Sequence, residues 1–403
     1  MLKVEEKPSF DLRTVLVFLS LTLGFNFVPL FSMGSLPLFH VAIFLLSVIG
    51  LLRKRFLMPN SKVIIFYSVY VLSSFWTLIF YADLDSYKVL FYSIIPILIL
   101  SGYRDLLSRR AFDFFLKYLS FSIFLIVSIG WLIRLDQIDA NFLFEGVLNS
   151  QIQMGYWGIR YLESTRNADY LYPLLGLVIS LYWINSKKFN FIYFVLAGFF
   201  IFTLIASLSR GAFIITLLAV LILTIKVQLN RLLFFIFILL LYIFINFNAV
   251  NEFLSVTYIE VIRSISLDSV DSKYSNFDRY HLIMDSISAS IVNPLGLGIG
   301  NFNSMYADIS SISNEQQNSA ENAFLTILIE RGWFAFIAFV LMWIYLFRNS
   351  LRNKSSFNVF AIPLFLVYFL VNYELDNIFG NMIICLIIFD EYIHNPKLHT
   401  SLS

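Results

Sequence analysis

Most of this chain is oil, so the residues able to do chemistry stand out. Arg210 is the only charged residue between Phe189 and Lys226, inside "LIASLSRGAF". Arg166 precedes one apolar block, Arg279 and Tyr280 lie in "DRYHLIMDSISAS", and Glu321-Asn322 opens another apolar block. Arginine stays charged and presents a planar fork of donors, which suits bidentate binding of phosphate. A carboxylate such as that of Glu321 can take a proton as a general base. Three arginines and one carboxylate therefore suggest chemistry at a phosphate-bearing substrate. Each has a simpler reading: Arg210 snorkelling to headgroups, Arg279 as a solvated loop residue, Glu321 as a charge favoured at a helix N-terminus, and Arg166 as a span cap. Glu330 and Arg331, deeper in the last block, read as structural, pairing with each other or packing the helix. His281 reads as a polar-face residue and not a ligand.

The elements that must position these residues are membrane helices. The 403 residues are 59% hydrophobic and 13% charged, with mean hydropathy +0.80. Soluble domains carry roughly a quarter charged residues. The apolar residues fall into about 12 blocks of spanning length, near 14–33, 36–52, 62–81, 86–101, 112–133, 169–185, 190–208, 211–229, 231–250, 322–347, 357–373 and 376–393. Backbone groups in hydrocarbon must bond within the segment, so these blocks are expected to be helices and the fold all-α. The whole chain, 1–403, reads as a single polytopic domain with an uncleaved first helix. The one cysteine, Cys385, excludes an internal disulfide and a cysteine-based metal site.

Lysine and arginine set the orientation. With the N-terminus in the cytoplasm, the turns "RKR" (53–55), "SGYRDLLSRR" (101–110), "SKKF" (186–189), "KVQLNR" (226–231) and "RNSLRNK" (348–354) all fall inside, as does the C-terminus. "SMGSLP", "YADLDS" and "ELDN" fall outside. Two longer segments also fall outside: 134–168, and 251–320 with about 70 residues, long for a connection without structure of its own. Within the second, residues 277–291 are expected to form a short helix, with Tyr280, Ile283, Met284, Ile287 and Ile291 on one face. Asn293-Pro294 ends it. The run 189–227 is too long for one span and suits two, so the chain must turn near Ser209-Arg210-Gly211, on the outer face. "GLGIG" at 296–300 follows no strand and reads as a tight turn that permits close backbone approach, a glycan being one candidate partner. "DLD" at 83–85 reads as an acidic outer turn; its other reading is a metal-binding pair.

Three stretches resemble the O-antigen ligase and polymerase superfamily. "SLSRGAF" resembles its Ser-Arg-Gly motif. "DRYHLIMDSISASIVNPLGLGIGNF" resembles its arginine-bearing external helix and Pro-Leu-Gly-x-Gly loop. "AENAFLTILIERGWFAF" resembles its third motif, where His-Asn precedes an apolar run and Glu-x-Gly. The resemblance implies a glycosyltransferase of the bacterial inner membrane with a GT-C-like helical fold, a large late periplasmic loop carrying short helices, and no cofactor. It implies glycans on undecaprenyl pyrophosphate as donor, and as acceptor another lipid-linked unit (polymerase) or lipid A core (ligase). A chain-length regulator is a possible partner; nucleic acid is not. Glu321-Asn322 stands where ligases carry His-Asn, which favours the polymerase branch. On this resemblance the catalytic set is Arg210, Arg279 and Glu321, with Arg166, Tyr280 and Asn322 binding substrate and no metal. The alternative of another class is a lipid-linked oligosaccharide flippase, for which internal repeats and charges spread through the spans would be expected.

Overall fold

A computed structural model describes residues 32–33, 36–37, 62–81, 90–94, 109–134, 171–185, 191–206, 210–226, 283–299, 322–352, 357–371 and 378–394. Its helices are α1 (Lys62–Tyr81), α2 (Arg109–Arg134), α3 (Leu171–Asn185), α4 (Phe191–Ala206), α5 (Arg210–Lys226), α6 (Ile283–Val292), α7 (Ala323–Arg352), α8 (Asn358–Val371) and α9 (Ile378–His394). The expected spans at 62–81, 112–133, 169–185, 190–208, 211–229, 322–347, 357–373 and 376–393 each coincide with one of these helices. The span expected at 231–250 and most of those at 14–33, 36–52 and 86–101 lie outside the described residues, as do the loop after Arg134 up to 168 and the "DLD" turn. The all-α expectation needs one correction. A two-residue antiparallel ladder pairs β1 (Ser32–Met33) with β2 (Leu36–Pro37), Ser32 against Pro37 and Met33 against Leu36, within the "SMGSLP" turn.

Two described helices, Arg109–Leu132 and α7, are long and apolar enough to cross a membrane; the other apolar helices are shorter. The surface carries the clearer signal. Ile65, Val69 and Leu72 on α1, Ile214, Leu217 and Leu221 on α5, and Phe334, Ile337, Leu341 and Ile344 on α7 are all exposed. They recur at helical spacing, so each helix turns an apolar stripe outward as well as inward. Apolar stripes on several neighbouring helices are a liability in water and the required surface in lipid. The protein is a membrane protein.

Within the bundle, α7 packs on α1, α8 and α9, and α8 packs also on α3 and α5. Polar side chains tie helices together at their ends. Tyr182 donates to Asp113 (2.6 Å), Trp131 to Thr203 (3.1 Å), Asn349 to Glu391 (2.7 Å), and the Asn358 amide N–H to Asp390 (3.0 Å). Asn322 donates to the Leu370 carbonyl (2.9 Å). In every case the joined ends are ones that strict alternation puts on the same side: the end of α3 with the start of α2, the end of α2 with that of α4, the ends of α7 and α9, the start of α8 with the end of α9, and the start of α7 with the end of α8. Such bonds between membrane helices contribute about 0.6 kcal/mol each, and their larger effect is to hold helix ends in register.

Candidate functional site

The site is built around a break in α7. At Gly332 the backbone leaves helical geometry (φ 79°, ψ 179°), though the chain continues as helix on both sides. In an unbroken helix the Ile329 carbonyl would accept from Trp333 and the Glu330 carbonyl from Phe334. Orphaned backbone groups inside a membrane bundle need other partners. The loop after α6 supplies them. Leu297 N–H donates to the Ile329 carbonyl (2.8 Å) and Gly298 N–H to the Glu330 carbonyl (3.0 Å), while Trp333 N–H donates to the Pro294 carbonyl (2.9 Å). The Trp333 indole adds a bond to the Ser290 carbonyl (3.1 Å). Residues 290–298 are thus stitched across the gap in α7.

The sequence of that loop explains how it fits. Asn293 closes α6 through Ala289, and Pro294 cannot continue it. Gly296 and Gly298 then take φ 93° and φ 102°, a region open to glycine. A Cβ on Gly296 would lie 2.5 Å from the Glu330 carbonyl oxygen, and one on Gly332 would lie 2.5 Å from the Leu295 carbonyl carbon. The two backbones touch at two glycines. The close approach expected of "GLGIG" is made at Gly296 to the protein's own helix. The short helix expected at 277–291 is observed as Ile283–Val292, ending at Asn293 as expected.

Next to the break, Arg331 is buried to 1% exposure. Its guanidinium donates to the hydroxyls of Ser74 (2.7 Å) and Ser93 (3.3 Å) and lies 4.6 Å from the centre of the Tyr70 ring. Tyr67 holds the Ser93 carbonyl in turn (2.8 Å). Hydroxyl acceptors and an aromatic face offset the expense of a cation within the bundle. Arg331 thereby clamps α7 to α1, in line with its structural reading.

Asn322 caps α7. Its side-chain oxygen accepts from Phe324 N–H (2.8 Å) and Leu325 N–H (3.3 Å), and its amide nitrogen holds the end of α8 at Leu370. An Asn322→Ala variant is expected to lose about 1 kcal/mol of capping and about 1 kcal/mol of the latch. Thermal unfolding in detergent should show this as a fall in Tm. Asn322→Asp keeps the cap but cannot donate to Leu370, so its Tm should lie between the two.

Of the expected site residues, Arg210 is the first residue of α5, separated by three residues from the end of α4 at Ala206. Only its backbone is among the described atoms. Glu321 adjoins the Asn322 cap in sequence, and Glu321, Arg166, Arg279 and Tyr280 lie outside the described residues. α5 packs on α8, and α7 is latched to the end of α8. The strict alternation of spans expected from the sequence would put Arg210 on the same side as that end. Neither α5 nor α7 has an acidic residue in its first turn. The break at Gly332 went unforeseen, although three consecutive non-aliphatic residues, Glu330-Arg331-Gly332, inside a span were a legible signal for it.

No curated protein matches the chain. The family model described as O-antigen ligase matches residues 192–340, from the second residue of α4 to the middle of α7. That match takes in Arg210, Arg279, Tyr280, Glu321, Asn322, the loop after α6 and the break it fills, so over this stretch the chain is similar to the O-antigen ligase family, in support of the O-antigen ligase and polymerase superfamily.

Proposed function

We propose that the protein is an O-antigen polymerase, a glycosyltransferase joining undecaprenyl-pyrophosphate-linked repeat units at the periplasmic face of the inner membrane. What supports this reading is that α7, capped by Asn322 behind Glu321, is latched to the end of α8, while α5, which opens on Arg210, packs on the same helix. Helix N-termini favour anions, and an arginine at the start of α5 adds a bidentate phosphate donor. Arg210 and Arg279 hold the donor pyrophosphate and stabilise the charge that grows as it leaves. Arg166 holds a second phosphate or a sugar, and Tyr280 lines the sugar site. Glu321 takes the proton of the acceptor hydroxyl. That oxygen attacks the anomeric carbon from the face opposite the leaving group, the carbon–oxygen bond to pyrophosphate breaks, and the configuration inverts. Pyrophosphate is a good leaving group, so the step needs no metal. The amide of Asn322 is committed to α7 and Leu370, so its part is to hold Glu321 at the helix start.

One observation favours a second reading, the ligase: the matching family model bears that description. Glu321 in place of the ligase histidine weighs against it. The deciding experiment is the lipopolysaccharide ladder of cells lacking the gene and of complemented cells. Single repeat units on lipid A core are the expected result. Loss of all core-linked glycan would mean a ligase, and repeat units trapped on the cytoplasmic side would mean a flippase.

A further inference from the structure

α6 has its polarity inside out for a helix on a wet surface. Its exposed positions are Ile283, Met284, Ile287, Ser288, Ile291 and Val292. Ser286 and Ser290 are buried and Asp285 is half-buried. The one exposed hydroxyl, Ser288, is bonded back to the Met284 carbonyl (2.9 Å). A loop helix in water would turn Asp285 and the serines outward and bury the isoleucines.

Its depth can be counted along α7. The far end of α7 meets charge at Arg348, which is exposed. Gly332 lies sixteen residues before it, about 24 Å along the helix at 1.5 Å per residue. The hydrocarbon core is about 30 Å thick. The break therefore lies inside the core, in its outer part, and the loop bonded to it lies at the same depth. Irregular backbone is tolerated there when buried in protein, and the Leu297, Gly298 and Ile299 residues of the loop are buried. The surface is continuous as well. Trp333 is bonded to Ser290 and to Pro294. Its chain neighbour Phe334 is 67% exposed and opens the apolar stripe of α7, while Ile291 and Val292, beside Ser290, are 67% and 77% exposed.

We propose that residues 283–299 form a re-entrant segment of the membrane domain, with the face of Ile287, Ile291, Val292 and Leu295 covered by lipid hydrocarbon. The inference rests on the protein being a membrane protein and not on glycosyl transfer, and it deepens the proposed site by making one of its walls a lipid-facing one. The segment begins four residues after Arg279 in sequence. A donor whose carrier is itself a lipid would meet this wall from within the bilayer.

The test is collision accessibility of spin labels on the full chain in phospholipid nanodiscs. Cys385→Ala supplies the background, and single cysteines are placed at Ile291 and Leu295. Ile337 on the α7 stripe is the lipid reference and Lys62, exposed at the start of α1, the water reference. The expected result is an oxygen-to-nickel-chelate ratio at 291 and 295 matching that at 337 and several-fold above that at 62. A ratio like that at 62 would overturn the proposal in favour of a water-facing loop. Protection from both reagents would overturn it in favour of a protein cover, such as a second copy. Ile287 and Val292 serve as substitute positions if either labelled variant is lost from the folded fraction. The readout needs no turnover, so an error in the proposed function leaves it standing.

Discussion

Replacing Arg210 by alanine is expected to slow elongation by about 10²- to 10³-fold, the effect of deleting one preorganised donor to a developing anion. Purified protein, lipid-linked repeat units and EDTA suffice for the assay. The Tm of the variant, measured beside the rate, is expected to stay near that of the parent, since the substitution falls at the first residue of α5 and alanine is a strong helix former. The lysine variant separates the two readings of this position. If Arg210 only snorkels to headgroups, Arg210→Lys should be as active as the parent, since either side chain reaches the interface. If it grips pyrophosphate through a planar fork, lysine keeps the charge and loses the bidentate geometry, and most of the rate stays lost. An alanine variant with undiminished elongation would remove Arg210 from the mechanism altogether.

Gly332→Ala is expected to be the most damaging small substitution for stability. With φ 79° and ψ 179°, Gly332 occupies a region essentially reserved for glycine. A methyl there would also lie 2.5 Å from the backbone of Leu295. Backbone strain accounts for about 1–3 kcal/mol, and three stitching bonds at about 1 kcal/mol each are at stake if the loop is pushed away. The expected loss is on the order of 4 kcal/mol, read as a large fall in Tm. Gly296→Ala should do nearly the same, because its Cβ would strike the Glu330 carbonyl from the other side. The double variant should lose far less than the sum, since either change opens the same seam. A Tm for Gly332→Ala equal to that of the parent would mean the seam contributes nothing.

Hydropathy and charge made much of this architecture legible. The run 189–227 had to contain two spans, and the turn expected near Ser209-Arg210-Gly211 lies where α4 ends and α5 begins. Asn293-Pro294 marked the end of α6 correctly. The break in α7 was hidden because hydropathy averages over a span and carries no information on φ. The partner of Gly296 lies 34 residues away, at Glu330, beyond any local pattern. The apolar face of α6 was legible in the sequence, and the direction it looks was not. In lipid, the side facing protein and the side facing solvent are both apolar, so a stripe of isoleucines does not say which way it looks. The motif arginine Arg210 was found because it interrupts oil, whereas Arg331, also surrounded by oil, is occupied by Ser74, Ser93 and Tyr70.

The seam at Gly332 also bears on how the protein is made. The loop 293–299 is synthesised before α7, so it must wait for its partner. When α7 first enters the bilayer, bare carbonyls at Ile329 and Glu330 would be expensive in hydrocarbon. A newly inserted α7 is therefore expected to begin as one unbroken helix, with Trp333 bonded to Ile329. Docking of the loop exchanges those bonds for the seam. Insertion and maturation are then separate events. Variants at Gly296 or Gly332 should reach the membrane with every span threaded correctly and still stop one step short of a finished enzyme.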